Sequence, residues 1–454
     1  MSRKIDEWIS AHMDELTVAI CESVRIPSVK GTPEPGAPFG KEVTRAIEHS
    51  LDIGKRYGME TRNMDGYIGL IDYGEGEETL GIMCHMDVVP EGEGWKHPPY
   101  GGVIADDEIH GRGTLDDKGP AICALYALAA VKECGLPMKR KVRIMLGGDE
   151  ESGWGCMKHY RENEKMPDLA FSPDAEYPLV NSEKGIAQIT MKATYGSHIE
   201  LKGGERANVV CDSVTAIIPQ SADDIEGLAA DFANKTGYGV VTNSKDGKTT
   251  ITVTGVAAHA SMPEMGKNAI QGTLALLNIL PIPEEDKHAV CALHRCFGFD
   301  MHGESAGIDC EDASGRITVN PGIIKWDENG YTLVVDMRVP TTQSLEDISN
   351  RLCANVEDAE LIDKHFQEGH FVARDSELVT KLLEVYEKHT GRPAEPLAIG
   401  GGTYARAVEN AVAFGCERPG VPALIHMPNE SIRLEDVEFN VRVIADAIIA
   451  LACE

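Results

Sequence analysis

The fold is decided by the segment PAICALYALAAVKEC at residues 120–134 and the apolar segment VRIML at residues 142–146. The first segment has a proline in its first predicted turn and Gly135 just past its end, which is typical of the two ends of a helix. The second segment is a short apolar run of the kind that forms a buried strand. A similar run, TLGIMC at residues 79–84, precedes the helix. The order strand, helix, strand predicts an α/β domain with a mostly parallel sheet.

Segments on either side extend this pattern. Helices are predicted near residues 5–20 and 42–58, and short apolar strands at residues 68–73 and 169–171. Beyond residue 377 the α/β pattern of helices and short apolar strands returns. The elements predicted there are a helix to about residue 389, a glycine-rich turn at 400–402 and a strand at 423–425.

The middle of the chain has a different character, which begins near residue 185. Strands are predicted where apolar and polar residues alternate, at 186–193, 249–254 and 331–339. Helices are predicted near residues 212–217, 223–235 and 267–279. We therefore predict an α/β, mostly parallel-sheet catalytic domain in two parts, residues 1–184 and 381–454, interrupted by an inserted α+β lid domain at residues 185–380.

The composition is that of a globular protein and argues against several functions. Of the 454 residues, 42% are hydrophobic and 26% charged, so a large core is available. Lys plus Arg number 43 and Asp plus Glu number 73, which gives a net charge of −30. Such an acidic surface repels nucleic acid and anionic membranes, so neither is an expected partner. The N-terminus lacks the apolar core of a signal peptide, so we expect a cytoplasmic protein whose 12 cysteines are reduced thiols.

Five short motifs carry histidines and carboxylates, most of them directly after a proposed strand. They are CHMD at 84–87, GRGTLDDKGP at 111–120, GGDEESG at 147–153, SPDAE at 172–176 and IHMPNE at 425–430. Each alone has a simpler explanation, such as a surface histidine, a helix cap or a solvated acidic loop. The carboxyl ends of parallel strands, however, meet at one edge of a sheet. A joint set of two histidines and three carboxylates suits two divalent ions such as zinc, manganese or cobalt.

This set of residues predicts a hydrolase. Two metal ions roughly 3.5–4 Å apart share a bridging carboxylate and a bridging water, which they acidify. A carboxylate that does not bind metal must then take the proton of that water and pass it to a leaving amine. The adjacent Glu150 and Glu151 offer one carboxylate for each task. The expected reaction is hydrolysis of an amide or a related acyl bond.

The motifs resemble those of the di-metal amidohydrolases, a superfamily that includes bacterial glutamate carboxypeptidase, aminoacylase, succinyl-diaminopimelate desuccinylase and carnosinase. Within it the chain most resembles the bacterial V-type dipeptidase group (PepV, or Xaa-His dipeptidase). The matching segments are HMDVVP at 85–90 with GW at 94–95, residues 111–120, PDAEYP at 173–178 and GGGTYAR at 400–406. The resemblance covers both parts of the catalytic domain well and the inserted domain in patches.

The resemblance implies a role for each matching residue of the catalytic domain. The metal-binding residues would be His85, Asp116, Glu151, Asp174 and His426. Asp116 would bridge both ions, and Asp87 would orient His85. Glu150 would be the general base and then the general acid. The family also implies a cis peptide bond between Asp116 and Asp117.

The inserted domain would supply the contacts to the substrate. The resemblance implies that His259 polarises the scissile carbonyl and stabilises the oxyanion. Arg338 would bind the C-terminal carboxylate of the substrate, a task that suits a bidentate guanidinium. Asn208 is the candidate lid amide. The backbone at Gly401, in a glycine turn before a helix, is a further candidate for binding a carboxylate.

We therefore expect a metal-dependent dipeptidase that cleaves short peptides with a free C-terminal carboxylate, with zinc favoured over manganese or cobalt. The alternative is a deacylase of N-acyl or N-succinyl amino acids with the same metal centre. A metal-dependent binding protein without turnover is a further alternative, but Glu150 and every expected ligand are present. A monomer is favoured over a homodimer formed through the inserted domain.

Overall fold

The computed structural model describes residues 2–356, 358–422 and 424–453, and within it the chain divides into two compact units. The first unit comprises Met1–Asn181, Phe371–Leu397 and Gly402–Glu454. The second comprises Ser182–His370 and Ala398–Gly401. The domain boundaries predicted after residues 184 and 380 stay a prediction.

The first unit is built on a sheet whose central strands are parallel. In spatial order these strands are Lys141–Gly147, Thr79–His85, Leu169–Ser172 and Ala411–Ala413. The antiparallel strands Ile68–Tyr73 and Glu60–Met64 extend one side of the sheet, and Val180–Glu183 pairs on the other side. The short strands His370–Phe371 and Leu397–Ile399 lie where the chain passes between the units. The predicted α/β fold class with a mostly parallel catalytic sheet is confirmed.

One helix forms the centre of the first unit, because its sequence is apolar on every face. This helix spans Lys118–Glu133 and is buried from Lys118 to Val131. It packs against Ser2–Val24 and Leu434–Ile448. The other helices of this unit are Lys41–Arg56, Gly155–Asn163 and Glu377–Thr390, with a 3₁₀ turn at Tyr404–Ala407 and a π turn at Ile449–Cys453.

Short strands beside the main sheet complete the first unit. Val103–Ala105, Glu108–His110 and Ser431–Arg433 pair with one another, and Ala175–Glu176 pairs in parallel with Cys416–Glu417. The prediction of a strand at 423–425 is wrong for the two residues that the structure describes, because Leu424 lies in a loop and Ile425 in a turn. Ala423 lies outside the described residues. His426 is therefore carried by a turn, with a φ of 61°, and not by the end of a strand.

The second unit is an antiparallel sheet with helices. In spatial order the strands are Gly239–Lys245, Lys248–Thr254, Ser213–Ile218, Glu200–Gly203, Thr318–Asp327, Gly330–Val339, Gly185–Thr194 and Glu360–Gln367. The small hairpin Glu311–Asp312 with Gly315–Arg316 is separate from it. The helices are Ala222–Thr236, Ala269–Ile279, Glu284–Phe297 and Leu345–Asn355, with a 3₁₀ turn at Pro263–Met265.

One helix predicted in this region is wrong. The sequence predicts a helix near residues 212–217, but Ser213–Ile218 is a strand. Val214, Ala216 and Ile218 are buried, and the residues between them are more exposed, so the segment follows the two-residue period of a strand. Pairing with a neighbouring strand on each side decides the conformation.

None of the helices in the described ranges combines the length and the apolar character that a membrane-spanning segment needs.

Candidate active site

The carboxyl ends of three adjacent parallel strands bring the first candidate residues together. His85 is the last residue of Thr79–His85, and Asp174 lies two residues after Leu169–Ser172. Glu150 and Glu151 follow Lys141–Gly147, which pairs with Thr79–His85 on its other side. Asp116 comes from the loop before the central helix, and its peptide bond to Asp117 is cis.

Three of these side chains form what we call the inner group: His85, Asp116 and Asp174. Nε2 of His85 lies 2.9 Å from Oδ1 of Asp116 and 3.6 Å from Oδ2 of Asp174. The ligand atoms of the group all lie within 4.8 Å of one another. The side chains are 1%, 8% and 16% exposed, respectively, so the group is largely buried.

A second set, the outer group, consists of Asp116, Glu151 and His426. Nε2 of His426 lies 3.0 Å from Oδ2 of Asp116 and 3.1 Å from Oε2 of Glu151. These ligand atoms also lie within 4.8 Å of one another. Asp116 thus presents one carboxylate oxygen to each group. The side chain of His426 is 51% exposed, unlike that of His85.

Asp87 connects the inner histidine to the loop of the two glutamates. Its carboxylate accepts hydrogen bonds from the backbone N–H of Glu150 at 3.1 Å and of Glu151 at 3.2 Å. Nδ1 of His85 lies 2.9 Å from the carbonyl oxygen of Asp87 and 3.6 Å from its Oδ1. A carbonyl oxygen only accepts, so Nδ1 carries a proton and Nε2 of the neutral ring is free to bind metal.

Burial and neighbouring charges shift the pKa values of several groups in the site. Burial raises the pKa of Glu150 well above its usual range, and the carboxylates of Asp174 and Glu151 add to the effect against the opposing charge of His85. Hydrogen bonds to Asp116 and Glu151 raise the pKa of His426 to about 10. Burial opposes the charge of His85, but contacts with Asp116 and Asp174 still raise the pKa of that ring well above its usual range.

This donor set fits a pair of divalent cations. The two imidazoles and the carboxylates around them converge on two points that share Asp116. Without a metal, the raised pKa values of His85 and His426 favour a positive charge on each ring beside the carboxylates, at the points where a cation would place positive charge instead. Imidazole and carboxylate donors suit zinc and its neighbours in the first transition row.

Two buried charged residues beside the outer group had no predicted role. Oε2 of Glu430 accepts a hydrogen bond from Nη1 of Arg112 at 2.6 Å, and both side chains are at most 1% exposed. Oε1 of Glu430 accepts from the backbone N–H of Gly113 and of Leu115, both at 2.9 Å. The sequence holds one signal that could have indicated Glu430: an acid four residues after His426, in a segment without helical periodicity.

His259 and Asn208, both predicted to contact the substrate, are neighbours in the second unit. The N–H of Ala260 donates to the carbonyl oxygen of Asn208 at 3.0 Å. The N–H of Ser261 donates to Nδ1 of His259 at 3.2 Å, so the ring proton lies on Nε2. Partial burial and the charge of Arg338 lower the pKa of His259, which keeps the imidazole neutral near pH 7.

Arg338 and Gly401 also lie in the second unit. The buried Arg338 donates from Nε to Oδ1 of Asp336 at 2.9 Å and from Nη1 to the carbonyl oxygen of Gly400 at 2.7 Å. At Gly401, a Cβ atom would meet nothing within 4 Å. The structure thus brings together the seven predicted residues of the first unit, while the roles of all eleven residues stay predictions.

The arrangement in the first unit is that of a metal-dependent hydrolase of the α/β class, and comparisons with known proteins agree. The sequence profile of peptidase family M20/M25/M40 matches residues 81–450. YtjP of Bacillus subtilis strain 168, named a putative dipeptidase, is 35% identical over 445 residues, which cover 95% of this chain and 96% of YtjP. The Beta-Ala-Xaa dipeptidase of Lactobacillus delbrueckii subsp. lactis is 33% identical over 427 residues, which cover 91% and 90% of the two chains.

Among solved structures, human carnosine dipeptidase 1 aligns with a TM-score of 0.59 at 14% identity, covering 99% of this chain and 98% of that chain. Aminoacylhistidine dipeptidase from Vibrio alginolyticus aligns with a TM-score of 0.56 at 16% identity, covering 95% and 96%. At such low identities these likenesses support the fold alone.

The chain belongs to peptidase family M20/M25/M40, because the family profile and the relatives cover most of its length. It is therefore a metallopeptidase. The resemblance to the di-metal amidohydrolases and their V-type dipeptidases is confirmed.

Proposed function

We propose that this chain is a dipeptidase that hydrolyses the peptide bond of short peptides with a free C-terminal carboxylate. The observation that carries the proposal is the pair of ligand groups that share Asp116, beside the two adjacent acids Glu150 and Glu151. The names of the relatives, a Beta-Ala-Xaa dipeptidase among them, support the substrate class.

The inner group would hold one divalent ion and the outer group a second. We propose zinc, and the same donors also accept manganese or cobalt. When bound, such ions lower the pKa of the water that attacks the peptide carbonyl.

Glu150 would carry the protons of the reaction. Its pKa is raised by burial and by neighbouring carboxylates, so the group takes up a proton more readily than an ordinary glutamate. We propose that its carboxylate takes the proton of the attacking water and then donates it to the leaving nitrogen. Asp87 positions Glu150 through the hydrogen bond that it accepts from the backbone N–H of that residue.

His259 and Arg338 would act on the substrate. The proton on Nε2 of the neutral His259 is suited to donate to the carbonyl oxygen as that oxygen gains negative charge. The guanidinium of Arg338 would bind the C-terminal carboxylate, a charge-assisted contact. The backbone of Asn208 lies beside the His259 segment, where its amide side chain would add a further donor to the substrate. Gly401 would leave room for the carboxylate, since no atom lies where its side chain would be.

The substitution Glu150→Gln tests the mechanism. It should lower kcat by about 10²–10⁴-fold, because proton transfer is lost while the ligand groups stay intact. Elemental analysis of the same sample should still show two ions per chain. Glu162→Gln, on the exposed side of Gly155–Asn163, is the matched control and should retain full turnover. Full turnover by Glu150→Gln with both ions bound would contradict the proposed role.

The substrate class is tested with the unmodified protein. Metal-stripped chain would be reconstituted separately with zinc, manganese and cobalt and assayed on dipeptides, tripeptides and N-acyl amino acids. The proposal expects metal-dependent cleavage of dipeptides. Cleavage of N-acyl amino acids alone would identify a deacylase, and silence with two bound ions would identify a binding protein.

We also propose that the protein is a monomer and that it is cytoplasmic. Light scattering of the purified chain tests the first statement, since a homodimer would double the mass of 49.2 kDa. Cell fractionation tests the second.

A further inference from the structure

We propose that Glu430 is a positioning residue whose buried carboxylate holds the backbone of the loop that carries Asp116 and ties it to the turn that carries His426. The inference rests on the metal ligation proposed above. It concerns how the outer group keeps its geometry, which none of the expected ligands explains.

The first observation is that three backbone donors converge on one oxygen. Oε1 of Glu430 accepts from the N–H of Gly113 and of Leu115 at 2.9 Å and from that of Asp116 at 3.3 Å. The side chain is fully buried. The loop belongs to no strand, and Gly113 has a φ of 90°, so regular pairing offers these N–H groups no acceptor. Buried N–H groups without an acceptor are costly, and Glu430 removes that cost.

The second observation concerns the charge of this carboxylate. Oε2 of Glu430 binds Nη1 of Arg112 at 2.6 Å, and the guanidinium lies 5.3 Å from the ring centre of Trp95. A buried ion pair contributes little net stability compared with apolar residues of the same volume. The pair is therefore better explained by the geometry that it imposes than by the stability that it adds.

The third observation concerns the other end of the turn. Oδ1 of Asn429 accepts from the N–H of Lys96 at 2.7 Å, so the residue next to Glu430 is also tied to a neighbouring loop. His426 and Asn429 have φ values of 61° and 69°, in the left-handed region, so the turn is irregular backbone that no strand or helix holds. The ring of His426 is 51% exposed, so core packing does not hold it.

These contacts join the two halves of the outer group. Glu430 holds Asp116 through the N–H of that residue, and it holds His426 through four residues of chain. The inner group depends on Glu430 only through the shared Asp116, because its other two residues are placed by the sheet: His85 ends a central strand and Asp174 follows the next one. Loss of Glu430 should therefore weaken the outer ion more than the inner ion.

The first test uses the unmodified, metal-stripped chain. Hydrogen exchange measured by mass spectrometry on peptides that cover residues 111–117 should show protected amides before any metal is added, because a protein carboxylate accepts them. Exchange as fast as that of an unstructured segment would overturn the proposal.

The second test is a pair of double variants that differ in one acceptor. Arg112→Met with Glu430→Gln removes the charges but keeps a carbonyl oxygen for the loop amides. Arg112→Met with Glu430→Met removes the oxygen as well and keeps a similar volume. Glu435→Gln, an exposed acid in the first turn of Leu434–Ile448, is the control. Each metal-stripped protein would be titrated with Zn²⁺ in a chelator buffer.

We expect the glutamine variant to bind two Zn²⁺ ions as the unmodified chain does. The methionine variant should bind the outer Zn²⁺ ion about 10–100-fold less tightly. This is the usual loss of metal affinity when a residue that supports a metal ligand is removed. The same variant should also lower kcat while KM stays nearly constant, and the amides of 111–117 should exchange faster. A purely structural role would instead lower the melting temperature and leave Zn²⁺ affinity unchanged.

Equal Zn²⁺ affinities in the two double variants would overturn the inference alone. An unmodified chain that binds no Zn²⁺ would overturn the proposed function together with the inference. Binding of two ions without cleavage of any peptide would overturn the proposed function and leave the inference standing. Where the methionine variant does not fold, the exchange measurement on the unmodified chain decides.

Discussion

The inner and outer ligand groups share Asp116 but are held in place by different means. The inner histidine, His85, is 1% exposed, ends a central strand and has its Nδ1 against the carbonyl oxygen of Asp87. The outer histidine, His426, is 51% exposed and lies in a turn. A ligand at the end of a buried strand inherits its position from the sheet, whereas a ligand on a turn needs bonds from side chains to the backbone. The difference predicts which substitutions affect one ion and which affect both.

The largest effect is expected where the two groups meet. Asp116→Ala removes one oxygen from each group, so both ions should be lost and turnover should fall by about 10³-fold or more. Elemental analysis after dialysis and a dipeptide assay measure the two effects. Asp52→Ala, which alters an exposed acid of the helix Lys41–Arg56, is the control. Retention of the inner ion by Asp116→Ala would show that the groups are independent.

The next effect is the dependence of metal affinity on pH. The pKa of His426 is raised to about 10 and that of His85 is raised well above its usual range, so both rings are protonated at pH 7 without metal. A metal ion requires the neutral ring, so binding releases about one proton at each group and apparent affinity falls about tenfold for each unit that pH falls. Calorimetry in buffers of different ionisation enthalpy counts these protons. Heats that do not depend on the buffer would contradict the predicted charge state.

A substitution of Asp87 should have a smaller effect on metal affinity, and this effect should differ between the inner and the outer ion. Asp87→Asn weakens the acceptor for the N–H of Glu150 and of Glu151 and alters the surroundings of Nδ1 of His85. We expect about 10–100-fold weaker binding of the inner ion, as for other residues that support a ligand. Competition with a chelator measures it. An equal loss at both ions would show that Asp87 acts through the glutamate loop and not through His85.

The smallest effect concerns the stability of the metal-free chain. His85→Ala removes a buried partner of Asp116 and Asp174, and Asp116 keeps only the half-exposed His426 ring among the two histidines, so the free energy of unfolding should fall by about 1–3 kcal/mol. His426→Ala removes a half-exposed ring, and its cost should stay below about 1 kcal/mol. Denaturant unfolding in the presence of a chelator compares the two. Equal costs would mean that the outer ring is as firmly held as the inner ring.

The sequence predicted several strands of the sheet in the first unit well because they are short apolar runs beside glycine-rich turns. The strand predicted at 68–73 is Ile68–Tyr73, and that predicted at 142–146 is Lys141–Gly147. The prediction failed at Ser213–Ile218, a short segment with a two-residue burial alternation whose conformation is decided by pairing with the strands on either side. It also failed before His426, where the apolar residues Leu424 and Ile425 form no strand.

The candidate ligands were found because each stands in a motif that is recognisable locally. Arg112 and Glu430 were not, since they lie 318 positions apart and their contact leaves no local pattern. Their charges alone would suggest surface residues, and only the fold shows that both are buried.

The sequence by itself determined the local features of this protein: the apolar central helix, the strand runs, the acid and histidine motifs and the family to which they belong. These features depend on periodicity and residue type, which need only a few neighbouring residues. The tertiary structure alone decided which strands are adjacent, that Asp116 presents one oxygen to each histidine and that Glu430 meets the loop amides. Such contacts depend on how the whole sheet and its helices pack, because burial and strand pairing join segments that no local pattern connects.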